Sequence, residues 1–415
     1  MIKRKGLKNT AGYKLCFYEK TLKFILSLAI CACQVGKQNL DIKPSGAMEF
    51  EQRYIEHMYM MGCKYLGQLE EASNCAKAIS YFTQAAKREH SLAQYQLADL
   101  YVYLKEEEII IDKAVDDQAF YWCKRAAKQG YVDAQYKLGL MYKQGHGTAV
   151  HEEKAFKWIK TSAEQNHVEA QYNLGVMYYY KNQCVTHDIR NAITYFEKAE
   201  RQGHAIAPYG LGLIYKQGKG VIRDTEKAIA YFQQAAEKGC VDAQVELGIM
   251  YYKGKGIKRN RNQAIAYFKQ AAETGYIQAQ SYLGKIYYSD IRFRNYKQAI
   301  KYLTLAAKQG DTKSSFYLGE IYQYGLGTKA NQATAIKYYT EAAKRGDVNA
   351  QYSLGMLYLN REKAKGKIKG GSEVSGSLEE AYKWLIAAAN QGHEDAWKCT
   401  FELRLHFLRK NMILN

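Results

Sequence analysis

The residues best equipped for chemistry in this chain are nine histidines, nine cysteines and a few glycine-flanked basic residues, and their spacing limits what they can do. His146, His151, Glu152 and Glu153 crowd one short segment. A metal site needs ligands that converge from different directions and neighbours that orient them. One polar loop supplies neither, so these residues read as loop. His187-Asp188 offers a base beside an acid, but no nucleophile accompanies the pair in sequence. Gly145-His146-Gly147, Gly218-Lys219-Gly220 and Gly254-Lys255-Gly256 look at first like phosphate turns. A phosphate loop follows a strand, opens a helix and carries Gly-Lys-Ser/Thr or GxGxxG spacing; these loops join two helical segments. The cysteines show no CxxC pair and no zinc spacing. They also do not recur at one position of any repeat, so they make no disulfide framework; Cys63 and Cys75 alone could meet between neighbouring helices. No nucleophile elbow, zincin helix or kinase set occurs. No catalytic, cofactor or metal residue is expected.

The elements that carry these residues follow a beat. Leu-Gly-x-x-Tyr stands at Leu138-Gly139…Tyr142, Leu174-Gly175…Tyr178, Leu211-Gly212…Tyr215 and Leu247-Gly248…Tyr251. It continues at Leu283-Gly284…Tyr287, Leu318-Gly319…Tyr322 and Leu354-Gly355…Tyr358, with successive glycines 36, 37, 36, 36, 35 and 36 residues apart. Weaker copies stand at Leu97-Ala98…Tyr101 and Met61-Gly62…Tyr65. A period of this size marks a solenoid whose units are stable only when stacked.

Within a unit, Ala207 to Lys216 forms a first helix, with Pro208 in the first turn where a missing amide hydrogen costs nothing. Gly218-Lys219-Gly220 ends it, Glu226 to Lys238 forms the second helix, and Gly239 stops that. The nine stop positions hold Glu89, Gly130, Asn166, Gly203, Gly239, Gly275, Gly310, Gly346 and Gly392. All but Glu89 are residues that tolerate the left-handed conformation of a helix C-cap. Alanine pairs before the stop, and the glycine of Leu-Gly, are expected to let helices of adjacent units approach closely.

Leu-Gly-x-x-Tyr-x-x-Gly-x-Gly, then Lys-Ala-x-x-Tyr/Trp, Ala-Ala-x-x-Gly and Ala-Gln resemble the Sel-one-like repeat family, a relative of the tetratricopeptide-like solenoids. The resemblance covers residues 53–396. It departs in the loop glycines, complete in four units, and in insertions near Glu106-Glu107-Glu108 and Lys363 to Gly371. It implies an all-α, right-handed α–α superhelix of nine two-helix repeats with a C-terminal capping helix at 397–415. It also implies a non-enzymatic scaffold that binds a protein or peptide along a concave groove lined by first helices.

Candidate groove residues come from helical geometry. With the Leu-Gly glycine at zero and 100° per residue, Leu at −1, Ile/Met at +2 and Tyr at +3 form a core stripe. Positions −3, +1 and +4 fall on nearly the opposite side. At −3 stand Tyr59, Tyr95, Tyr136, Tyr172, Tyr209, Val245, Ser281, Phe316 and Tyr352; at +4 stand Tyr179, Tyr252 and Tyr288, with Lys143 and Lys216. The rings either line a partner groove or pack on the neighbouring unit. Tyrosine suits a partner surface, giving large contact area at little entropic cost, and the two lysines favour acidic partner surfaces.

The net charge of +19 also raises nucleic acid as a partner. That reading needs cations at matched groove positions in most units, and only Lys143, Lys216 and Lys285 qualify. Seven of the cations lie in residues 1–32 against Glu19 alone, ahead of the apolar run Phe24 to Ala32. Such a run is too short to span a bilayer and has the length of a signal-peptide core. Residues 1–33 are therefore expected to direct export, and 34–52 to form a linker. Ile30-Cys31-Ala32-Cys33 resembles a bacterial lipoprotein box, which would anchor the chain to a membrane through Cys33; the other reading is an uncleaved N-terminal arm. A periplasmic, envelope-bound or secreted bacterial scaffold is the expected setting, and a hydrolase of the envelope the less favoured one.

Overall fold

The computed structural model describes residues 46–68, 72–107, 114–180, 188–364 and 376–413. Among them lie nineteen helices and no strand. Nine first helices alternate with nine second helices. In order they are α1 (Gly46–Leu66), α2 (Ala72–Lys87), α3 (Ser91–Glu106), α4 (Ala114–Lys128), α5 (Val132–Gln144), α6 (Glu152–Glu164), α7 (Val168–Tyr179) and α8 (Ile189–Arg201). There follow α9 (Ala207–Gln217), α10 (Thr225–Glu237), α11 (Val241–Lys253), α12 (Arg261–Glu273), α13 (Ile277–Ser289), α14 (Tyr296–Lys308), α15 (Thr312–Tyr324), α16 (Gln332–Lys344), α17 (Val348–Ala364) and α18 (Gly376–Asn390). A last helix, α19 (Glu394–Ile413), follows the ninth pair. The all-α, nine-repeat architecture is the expected one. The helices form two compact bodies that divide within α8, between residues 199 and 200. α1 begins inside the segment read as a linker. The expected signal segment with Cys33, His187, and the bulk of both insertions lie outside the described residues.

Local chemistry sets the helix ends. Asp224, Asn260, Asn295 and Asn331 cap second helices by accepting from the amide three residues on, at 2.9 to 3.1 Å. First helices use His90, His167, His204 and His393, whose Nδ1 accepts the equivalent amide, or Asp311 and Asp347. All nine stop positions are left-handed, with φ from 65° to 96°. Glu89 takes this conformation too, at φ 65°, although its side chain disfavours it. It is held there by Arg125, with which it makes an ion pair, and by Gln129, whose Nε2 donates to its carboxylate at 3.1 Å.

Packing explains the repeated glycine differently from the sequence expectation. A Cβ at the Leu-Gly glycine would meet the second helix of its own unit, not an adjacent unit. It would lie 2.5 Å from the Phe82 ring at Gly62, 2.7 Å from Phe268 at Gly248 and 2.6 Å from Leu385 at Gly355. Unit 2 reverses the volumes, with Ala98 on the first helix and Cys123, fully buried, at the ring position. The second loop glycine does link units. Gly147, Gly256 and Gly327 lie against Asp116, Thr225 and Tyr296, each at the start of the preceding unit's second helix, where a Cβ would overlap them.

A buried glutamine joins the units as well. Nε2 of Gln94, Gln135, Gln244, Gln280 and Gln351 donates to the carbonyl eight residues earlier, near the end of the preceding second helix, at 2.9 to 3.4 Å. That carbonyl belongs to the set a helix end leaves without an intrahelical partner. The glutamine Oε1 in turn accepts from Gln129, Gln165, Gln309 and Gln391 in four units, at 2.7 to 2.9 Å. In unit 6 the donor position is Thr274, and Gln244 Oε1 is buried without a hydrogen bond.

Candidate partner-binding face

The face opposite the Leu/Ile stripe of the first helices is built of rings held from two sides. Tyr172, Tyr209 and Phe316 lean on the second-helix rings Phe196, Phe232 and Tyr339 of their own units, with centroids 5.7 to 5.9 Å apart. Tyr95, Tyr136 and Tyr352 instead meet the residue that caps the next first helix, Tyr131, His167 and His393, at 4.3 to 5.0 Å. The −3 position thus does serve the unit's own packing, which the sequence reading assigned to the other face alone. All six of these rings remain half-buried. Tyr179 is 6% exposed and packs edge-on against Tyr180.

The +4 residues reach along the stack. Tyr252 donates to Asp290 at 3.1 Å, with Arg261 paired to the same carboxylate. Tyr288 donates to Glu320 at 3.0 Å, and Lys216 to Glu246 at 2.6 Å. Lys143 is exposed. Sequence reasoning missed the acceptors, and also Asn173, which donates to the Tyr136 hydroxyl at 2.8 Å. It missed Lys137 and Asp99, which pair across the junction of units 2 and 3. Lys137, Asn173 and Glu246 share position −2, a polar register between aromatic ones that could have flagged them.

Burial sets the protonation of this face. It pushes the Tyr136 hydroxyl up to about 12, with Glu169 adding to the effect, and raises Tyr209 and Tyr288 further. Burial, with the Asp290 hydrogen bond second, also raises Tyr252. These phenols stay neutral, and Tyr252 and Tyr288 keep the protons they donate. Burial raises the Glu320 carboxyl, opposed by the Tyr288 hydrogen bond, and pulls the Lys137 ammonium down to about 8. The +3 tyrosines, read as core, are half-buried except Tyr142. Six of them stack face to face on a second-helix tyrosine, as Tyr215 does on Tyr231 at 5.8 Å.

This arrangement has the chemistry of contact. Cys63, Cys75, Cys123 and Cys240 are thiols outside any disulfide, each raised first by burial, which disfavours the thiolate needed for nucleophilic attack. Among the described residues no three His, Cys, Asp or Glu side chains gather as a metal site would require. His151 sits at the start of α6 with Glu152 and Glu153 in its first turn, and His146 in the exposed loop before it.

The model of the Sel1 repeat matches nine times, over residues 57–90, 91–131, 132–167, 168–204, 205–240, 241–276, 277–311, 312–347 and 348–393. The chain belongs to the Sel1 repeat family. Sel1 repeat proteins are generally non-enzymatic scaffolds for protein interaction. The fold is similar to that of c5321, a protective antigen of uropathogenic Escherichia coli strains. That similarity has TM-score 0.66 and 32% identity over 78% of this chain and 66% of that one. A Sel1 repeat protein from Oxalobacter formigenes is similar at TM-score 0.56 and 26% identity, over 78% of this chain and 89% of that one. A curated relative, the chitin synthase regulator SKT5 of Saccharomyces cerevisiae, is 29% identical over 125 residues. Those residues are 30% of this chain and only 15% of the yeast protein. The likeness to the Escherichia coli antigen likewise leaves a third of that chain unmatched.

Proposed function

We propose that this Sel1 repeat chain is an exported bacterial scaffold that holds a protein or peptide partner on its first-helix face. The observation that carries the reading is the row of half-buried rings in consecutive units, in which the hydroxyls of Tyr252 and Tyr288 are fixed to Asp290 and Glu320 across unit junctions. Such rings are rigid before a partner arrives, so little ordering cost is left for binding. Tyr95, Tyr136, Tyr172 and Tyr179 belong to this face in the first body, and Tyr209, Tyr252, Tyr288, Phe316 and Tyr352 in the second. Lys143 supplies an exposed cation for an acidic partner surface, while Lys216 spends its charge on Glu246. The pairing of Lys216, and of Lys137 with Asp99, weighs against nucleic acid, which needs free cations in register.

A photo-crosslinker at Tyr252 should capture a protein partner in cells, and one at exposed Lys269 on the second-helix side should not. Tyr252→Ala with Tyr288→Ala should weaken that capture over about a hundredfold, each hot-spot ring contributing about 2 kcal/mol. Equal crosslinking from both positions would overturn the assignment of the face. Export is tested by the mature N-terminus: intact Met1 on cytosolic protein would refute it, and a lipid on Cys33 would establish the anchor.

A further inference from the structure

α19 has the register of a first helix. Aligned on Gly392 and His393, it places Ala396 where α17 has Ala350, Trp397 where it has Gln351, and Phe401 where it has Gly355. In the eight units that carry it, that glycine lies beneath a side chain of the second helix, with no room even for a methyl group; unit 2 admits the Ala98 methyl only because its second helix recedes to Cys123. Phe401 fills the space, so no second helix can seat on α19 in the manner of the other units. The glutamine position, in six units a buried glutamine bonded to a helix-end carbonyl, carries an indole. The surface that receives a helix in every other unit is here an apolar stripe. Trp397 is 62% exposed, Phe401 54% and Leu405 38%, and the two rings stack at 6.0 Å.

The stripe carries its own complement. At 100° per residue Glu394, Trp397, Phe401 and Arg404 lie within about 80° of one another on one side of the helix. All four are exposed. Trp397 and Phe401 are equally spaced about position 399, and so are Glu394 and Arg404. Two such helices placed antiparallel about that position set each Trp397 against a Phe401 and each Glu394 against an Arg404, twice over by symmetry. An isologous interface has to be complementary to itself in this way, and antiparallel helices also oppose their dipoles favourably.

We infer that α19 is a self-association surface whose occupant is α19 of a second copy of this chain, packed antiparallel about position 399. The apolar area is small, roughly 600 Å² for both copies given the size of these side chains. That is below the area of stable dimers, so association on the order of 100 µM is expected, and it would place two partner-binding scaffolds back to back when the chain is concentrated.

Sedimentation of the full chain over a concentration series tests this. The mean mass should rise toward twice that of one chain, and Trp397→Glu should hold it at one chain with helicity unchanged. Glu394→Arg and Arg404→Glu should each weaken self-association at least tenfold. Mixing these two variants should restore it as a heterodimer, because both contacts then join opposite charges, one as in the native pair and the other with exchanged sign. A chain that stays monomeric throughout, whatever else the stripe binds, overturns the inference. So does association that survives Trp397→Glu. Charge variants that fail to recover on mixing overturn the antiparallel register.

Discussion

Units 2 and 6 solve one packing problem with exchanged volumes. In unit 6 the first helix supplies nothing at Gly248 and the second helix fills the gap with the Phe268 ring; in unit 2 the first helix supplies the Ala98 methyl and the second recedes to Cys123. What the fold requires is therefore a sum across two helices, since interiors pack to a fixed density. A residue type at either position alone is not decisive.

The comparison breaks hardest where a ring is removed. Phe268→Cys in unit 6 should cost about 3 to 5 kcal/mol, as large-to-small core changes do, measured as a shift of the denaturation midpoint. Cys123→Phe in unit 2 should cost about 1 to 3 kcal/mol by overpacking against Ala98. Adding Ala98→Gly should recover most of that loss, in a strongly non-additive double-mutant cycle. Additive effects would show that the two positions do not share one space.

The loops offer the next test. Gly256 of unit 6 combines φ 73° with close contact on Thr225 of unit 5, whereas unit 2 carries its insertion at the corresponding loop. Gly256→Ala should cost about 2 kcal/mol, the left-handed strain and the overlap acting together. Gly275→Ala, with φ 86° and nothing within 4 Å of the added carbon, should cost less, about 1 kcal/mol.

Smaller differences can be repaired. Gln94 of unit 2 receives the amide of Gln129, while Gln244 of unit 6 faces Thr274 and keeps an unpaired oxygen. Thr274→Gln should raise stability by about 0.5 to 1 kcal/mol, the net worth of one hydrogen bond. The smallest effect is in pH. His90 caps the first helix of unit 2, and Cys240 in unit 6 makes no side-chain cap. Burial lowers His90 below its ordinary 6.5, against the opposing pull of Glu56. A group whose folded pKa is lowered stabilises the fold above the unfolded value, so its contribution is full above pH 6.5. It is lost as pH falls below that and through the lowered value. Amide exchange at the start of α3 should accelerate over this window, and that at the start of α11 should not follow it.

Much of this was legible in the sequence because the repeat writes each helix nine times. Stop residues, loop glycines and the Leu/Ile stripe depend on local geometry, and the period locates them. The partner of Gly248 was not legible, because Phe268 stands twenty residues away and only the crossing of two helices brings them together. The same holds for the −3 rings. Whether such a ring leans on its own second helix, as Tyr209 does, or on the next cap, as Tyr136 does, turns on a histidine one unit further on in one case and a phenylalanine in the other. Ala-Gln was visible as a signature, but nothing in its spacing announces that the amide bridges two helix ends.

That bridge has a consequence for how the solenoid opens. Units 2, 3, 7 and 9 tie the end of one second helix to the end of the next through two amides in series. The series is cut at unit 6 by Thr274, and units 5 and 8 place Pro208 and Ser315 at the glutamine position. The second body is therefore unevenly sewn. Its breathing should begin at the seams around units 5, 6 and 8, and a protease that cuts the native protein there would release whole units rather than ragged fragments.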